Sequence, residues 1–134
     1  MKLLEPLLIN KLEIRNRIIM PAMETNLGNK KGEITEKLMK WYELRAKGGV
    51  GLIIVEPAYF EKRGSSTKHM LSISSDNKIE GFAKLTKLIK KYGAAVLLQI
   101  YHAGAQSPSM ITKHLPVSPS GVPCINDRST ISVK

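Results

Sequence analysis

The chain has 134 residues, which is room for one domain of ordinary size and too few for two. Apolar residues make up 43% and charged residues 24%, the usage of a folded globular protein, which excludes a disordered chain and a membrane bundle. Lysine and arginine outnumber aspartate and glutamate by 21 to 11; the net charge of +10 favours anionic partners, but much of the excess falls on expected helix faces (Lys37, Lys40, Lys47, Lys84, Lys87, Lys90, Lys91), where solvated surface is the simpler account.

From the N-terminus, Met1-Lys2-Leu3-Leu4 runs at once into Glu5-Pro6, so the apolar stretch of a secretory signal never develops. Leu3 to Ile14 reads as a short hairpin or extended arm around Asn10-Lys11. Arg17-Ile18-Ile19-Met20, stopped by Pro21, is a first buried strand. After a loop rich in Asn, Gly and Lys, Thr35 is placed to cap a helix that carries Leu38, Trp41, Tyr42 and Arg45 at helical spacing and stops at Gly48-Gly49. Trp41 is most simply a core residue. Val50 to Val55 is a continuous apolar run, as expected of a parallel strand covered on both faces. A second helix begins at Asp76 or Asn77, with Asn77 and Glu80 at capping-box spacing; Ile79, Phe82, Ala83, Thr86, Ile89 and Tyr92 mark its buried side and Gly93 its end. Ala94 to Ile100 is the third strand. Residues 105–134 are rich in Pro, Ser and Thr and read as loop or a poorly ordered tail. The single cysteine, Cys124, excludes an internal disulfide and a cysteine metal cluster, and it suits a reducing compartment, the cytoplasm. The apolar runs fall well short of the about 20 residues that cross a bilayer.

The order β-α-β-α-β with right-handed crossovers makes three parallel strands and an α/β class. Two closures remain open: a small doubly wound sheet, or the opening portion of a (β/α)8 TIM barrel, whose complete form takes about 250 residues. The first strand-to-helix turn reads Pro21-Ala22-Met23-Glu24-Thr25-Asn26, without the glycines of a dinucleotide fingerprint. In both closures chemistry gathers at the C-terminal ends of the strands, here Pro21 to Glu24, Glu56-Pro57-Ala58, and Gln99 to Gly104. Gln99 puts an amide, donor and acceptor together, at the end of an apolar strand, where it complements a heterocycle or is satisfied by neighbouring backbone. His102 is a pocket group or a satisfied rim histidine, and the rim reading is preferred. Glu56 is a candidate general base or a structural carboxylate.

Asn16-Arg17-Ile18-Ile19-Met20-Pro21-Ala22-Met23, Gly51-Leu52-Ile53-Ile54-Val55-Glu56, Ile79-Glu80-Gly81-Phe82 and Leu98-Gln99-Ile100-Tyr101-His102-Ala103-Gly104, in this order and spacing, resemble the start of the Old Yellow Enzyme family of NADH:flavin oxidoreductases, which includes ene-reductases and 2,4-dienoyl-CoA reductases. The resemblance runs from about Leu3 to about Pro123 and takes in Ser118-Pro119-Ser120. It implies an FMN-binding barrel of which 1–134 is the N-terminal portion, with Pro21, Ala22, Met23 and Glu24 against the flavin ring, Pro57 at its polar edge, Gln99 bonded to its pyrimidine portion, and Asn26 and His102 as substrate-pocket candidates. It also implies reduction of FMN by NADH or NADPH and hydride transfer to an activated alkene of a small-molecule substrate. The family's substrate-anchoring pair, proton donor and phosphate site match nothing up to Lys134, so no catalytic residue is assigned. A flat apolar backbone shelf and one amide are what a flavin ring needs.

The sequence departs from the family pattern at three of these places. Glu24 stands where a small, thiol or hydroxyl residue is usual, and an anion beside a flavin opposes negative charge on reduction; whether its side chain faces the ring is left open. Pro57 has no N–H to donate. Ala105 follows His-Ala-Gly where arginine is common. Asn16 and Arg17 are expected at the barrel bottom, where they support stability. Lys62-Arg63 and Lys68-His69 lack the interleaved aromatics of a nucleic-acid surface, so neither nucleic acid nor membrane is an expected partner. Three parallel strands leave an open edge and an apolar face, so the chain is expected to need the rest of the barrel or self-association. The competing reading is a non-catalytic, basic α/β binding or structural module, or a truncated homologue.

Overall fold

The structure, a computed structural model, describes residues 2–124 and 131–132. Asn10, at φ 52, lets the chain reverse, so that β1 (Leu7–Ile9) and β2 (Leu12–Ile14) form the expected antiparallel hairpin, with Leu7 opposite Ile14. The main sheet is built on β4 (Leu52–Tyr59). It pairs in parallel with β3 (Ile19–Met20), with β5 (Leu71–Ser72) and with β6 (Ala95–Tyr101). Leu52 pairs with both Ile19 and Ala95, and Ala58 with both Leu71 and Ile100. The edges of β4 are therefore divided: β3 and then β5 on one side, β6 along the other. The expected strand to Val55 thus runs on to Tyr59. Its register shifts between Val55 and Ala58, and the bulge contains Pro57, which has no N–H for the ladder and is tolerated there.

Helix α1 (Glu36–Lys47) starts where Thr35 predicts: its hydroxyl accepts the Leu38 N–H at 3.2 Å and donates to the Leu27 carbonyl at 2.7 Å. Leu38, Tyr42 and Ala46, one turn apart, are buried. Gly49 leaves the helix at φ 95, and the Arg15 guanidinium closes the end by donating to the Ala46 and Val50 carbonyls at 3.1 and 3.0 Å. Trp41 is half-buried at the margin of the core rather than inside it, edge-on to Tyr42 and beneath Arg45, whose guanidinium lies 3.6 Å from the indole centre.

Helix α2 (Ile79–Lys91) begins later than expected, after a 3₁₀ turn at Asp76–Lys78, and no side chain caps it. The capping box fails because its members bond elsewhere: Asn77 Oδ1 accepts the Ser75 hydroxyl at 2.7 Å, and Glu80 pairs with Lys84 at 2.6 Å. Of the expected buried stripe, Ile89 is fully buried and Phe82 and Tyr92 pack against the core. Leu85 joins Ile89 in the core, and Ile79, Phe82, Ala83 and Thr86 line an open groove together with Ile73 and Leu98. Gly93, at φ 77, ends the helix as expected.

Both helices cover one face of the sheet, where Leu38, Tyr42, Ala46, Leu85 and Ile89 pack on Met20, Ile53, Val55 and Ala58. On the other face Ile19 and Leu97 are 42% and 49% exposed. At the N-terminal end of the strands Asn16 holds Gly49 and Ile18 together, donating to one carbonyl at 2.7 Å and accepting the other N–H at 3.1 Å, a stabilising place at the foot of the sheet. The stretch read as loop after Gly104 carries structure in its first part: a 3₁₀ turn, the short helix α3 (Ser109–Thr112) and β7 (Val117–Ser118), which pairs in parallel with β8 (Ile131–Ser132). Ser107, Thr112, Val117 and Ser118 are buried. Residues 125–130 and 133–134 of the expected tail lie outside the described residues. Among the described residues no helix is long and apolar enough to cross a membrane.

Candidate functional site

Because β3, β4 and β6 are parallel, the segments that follow Met20, Tyr59 and Tyr101 leave the sheet at the same end, and Pro57 and Gln99 lie in the last part of β4 and of β6 before it. Pro21 and Met23 are exposed there and Ala22 is half-buried. Gln99, on the far side of β4 from β3, is exposed, and its amide has no hydrogen bond among the described residues. Pro57, between them, is buried within the bulge.

The carboxylate of Glu24 is engaged by the loop that follows β4. It accepts the hydroxyl of Thr67 and that of Ser66, the latter at 3.2 Å, both in the loop before β5. Asn26 sits at φ 56, and its carbonyl oxygen accepts the Thr67 hydroxyl and the His69 N–H, each at 2.9 Å. The acceptor side of Asn26 thus holds the same loop, and its amide nitrogen has no partner among the described residues. His102 is bonded at both ring nitrogens. Gly104 N–H can only donate, so Nδ1, at 2.9 Å, is the acceptor; Nε2 then carries the proton of the neutral ring and donates to Glu61 at 2.8 Å. Gly64 lies so close that a Cβ there would fall 2.5 Å from the His102 ring. Both ring nitrogens of His102 are thus engaged within the chain.

Glu56 is fully buried and makes no ion pair among the described residues. Its carboxylate accepts the Thr25 hydroxyl at 2.7 Å, the Thr25 N–H at 3.4 Å and the Tyr42 hydroxyl at 3.3 Å, while its own N–H donates to the Tyr42 oxygen at 2.7 Å. Burial pushes the Glu56 carboxyl above the usual carboxylate range; the bonds from Thr25 and Tyr42 oppose this, and the charge of Glu24 adds to it. Burial likewise pushes the Tyr42 phenol well above its ordinary value. The side chain joins β4 to α1 and to the turn after β3, so the general-base candidate acts as a structural tie. Its position at a strand end was visible in the sequence, but partners 14 and 31 residues away were not.

The NADH:flavin oxidoreductase / NADH oxidase family model matches residues 2–132. An NADH oxidase of Thermoanaerobacter brockii is 44% identical over 118 residues, covering 87% of this chain and 18% of that protein. An NADPH dehydrogenase of Bacillus subtilis is 41% identical over 107 residues, covering 79% of this chain and 32% of its own length. The Old Yellow Enzyme homologue from Zymomonas mobilis superposes with a TM-score of 0.83 at 25% identity, over 90% of this chain and 33% of that structure. The three parallel strands with helices on one face are thus part of a TIM barrel, and the chain spans a third or less of these relatives' length. The chain belongs to the NADH:flavin oxidoreductase / NADH oxidase family.

Proposed function

We propose that the C-terminal ends of β3, β4 and β6 form the ring-binding side of an FMN site in an NAD(P)H-dependent oxidoreductase acting on small molecules with an activated alkene. When bound, FMN supplies the relay that takes a hydride from NADH or NADPH and passes it to the electron-poor carbon. The residues present fit such a ring. Gln99 offers a donor and an acceptor from one amide to the alternating N–H and C=O groups of its pyrimidine portion, and its freedom from other bonds among the described residues is the observation that carries the proposal. Pro21 and Met23, exposed after β3, offer an apolar shelf on the other side of β4 from Gln99. At Pro57 the backbone can only accept. Glu24 is held by Ser66 and Thr67, and this bonding to the loop before β5 supports a carboxylate turned from the ring. Relatives named for NADH and for NADPH both match, so the two reductants stand equal.

FMN titration of the full chain, followed by quenching of flavin fluorescence, tests the reading. Saturable binding is expected, weakened about tenfold in Gln99→Ala, the scale of one or two lost hydrogen bonds. Absence of saturable binding, or equal affinity in the variant, overturns it.

A further inference from the structure

A carboxylate as deeply buried as Glu56 calls for a reason, because an apolar side chain of similar volume would fill the same place without the cost of desolvation. What an apolar residue could not do is hold Thr25 by both its hydroxyl and its N–H. The Thr25 hydroxyl in turn accepts the Leu27 N–H at 3.2 Å, and Leu27 packs against the core, so the turn is closed from both sides. Residues 21–24 are thus slung between two points on one strand: the pairing of Met20 with Ile53 at one end, and the Glu56 carboxylate at the other. The register of the sheet adds a second relation. Val55 pairs with Leu98 and Ala58 with Ile100, so Glu56 and Pro57 together stand opposite Gln99 in the bulge. The residue that holds the turn after the shelf is therefore also the cross-strand neighbour of the free amide.

We infer that Glu56 is a positioning residue: acting through Thr25, it fixes the Pro21–Met23 shelf relative to the Gln99 amide, so that a planar ring can meet both at once. This role rests on the flavin reading for its purpose, though the fixing of the shelf does not depend on it. Glu56 itself touches no ring, since it is buried beneath the turn. The shelf and Gln99 lie on opposite sides of β4 and share no contact of their own, so their spacing is set by what joins each of them to that strand. Apolar packing alone lets a loop slide, whereas hydrogen bonds from two donors to the two oxygens of one carboxylate are directional and fix it in place. A displacement of about 1 Å is enough to spoil simultaneous contacts to one ligand.

Three variants of the full chain separate positioning from general stability. Thr25→Val keeps the shape and removes the hydroxyl, Thr25→Ser restores it, and Ile89→Val weakens the core under α2 without touching the turn. The first readout needs no flavin: the Met23 methyl resonance, in chain labelled with 13C at its methionine methyls, should move in Thr25→Val, return in Thr25→Ser and stay in place in Ile89→Val. The second is FMN titration, in which affinity should fall about tenfold in Thr25→Val and stay within about twofold of the unaltered chain in the other two. Should Thr25→Val fail to fold, Glu56→Gln takes its place, because it offers one oxygen where the two Thr25 donors use two; it should move both readouts in the same direction. A Met23 resonance that stays put, or that Ile89→Val moves equally, overturns the proposal, and so does a moved resonance with FMN affinity unchanged. Failure of FMN to bind the unaltered chain sinks the flavin reading instead, and the Met23 resonance alone then decides whether Glu56 fixes the shelf.

Discussion

Glu56 gives the chain a pH response of known sign. Burial raises its carboxyl in the folded state, so between the ordinary carboxylate range and that raised value the folded chain holds the proton more tightly than the unfolded chain. Its contribution is therefore most favourable below the ordinary value and is lost as pH rises through the folded one. Urea midpoints measured across that window should decline with pH, and Glu56→Gln should remove part of the decline; equal slopes would contradict the assignment. Tyr42→Phe should cost about 1–3 kcal/mol, because the buried Glu56 N–H loses its acceptor and the carboxylate loses a donor. At the rim, Gly64→Ala should displace the His102 ring and lower the melting temperature, with the His102 ring protons shifting in NMR spectra. Residue types at strand ends were legible in the sequence, since Glu56, Gln99 and His102 each interrupt or follow an apolar run. Their partners were not, because no local pattern says that Thr25 and Tyr42 meet Glu56 or that Ser66 and Thr67 take up Glu24.

Among the elements, α1 shows what local chemistry decides. Thr35 was readable as its cap, and Thr35→Ala should destabilise the chain by about 0.5–2 kcal/mol in urea unfolding, with Thr35→Ser restoring most of the loss. The other end of α1 depends on Arg15, 31 residues before Ala46, so the sequence around Gly48-Gly49 showed only the stop and not the side chain that satisfies its carbonyls. For α2 the capping-box spacing was present without the cap, since spacing cannot reveal that Asn77 and Glu80 have competing partners. The groove face of α2 misled the periodicity for a related reason: Ile79 and Ala83 are as apolar as a core stripe but lie exposed along the open groove, whereas Phe82 is half-buried against the core.

For the molecule as a whole, the class and the parallel order followed from the sequence, because continuous apolar runs alternating with amphipathic helices admit few topologies. The apolar open face expected of three parallel strands is present too. Ile19 and Leu97 on the helix-free face, with exposed Ile100 on β6, whose outer edge is unpaired among the described residues, leave a broad apolar surface. The 134-residue chain should accordingly self-associate with rising concentration in sedimentation velocity, and Leu97→Lys with Ile100→Lys should shift it towards monomer; a protected monomer that both variants leave unchanged would contradict this.

The bulge in β4 has a consequence for how such a sheet diversifies. Before it, odd-numbered positions, Ile53 and Val55, face the helices; after it the even-numbered Ala58 does. One supernumerary residue thus acts as a phase shifter, inverting the alternation at the mouth and leaving the strand below untouched. A single-codon deletion or duplication here would exchange which side chains a ligand meets, a shorter route to altered chemistry than replacing them one by one.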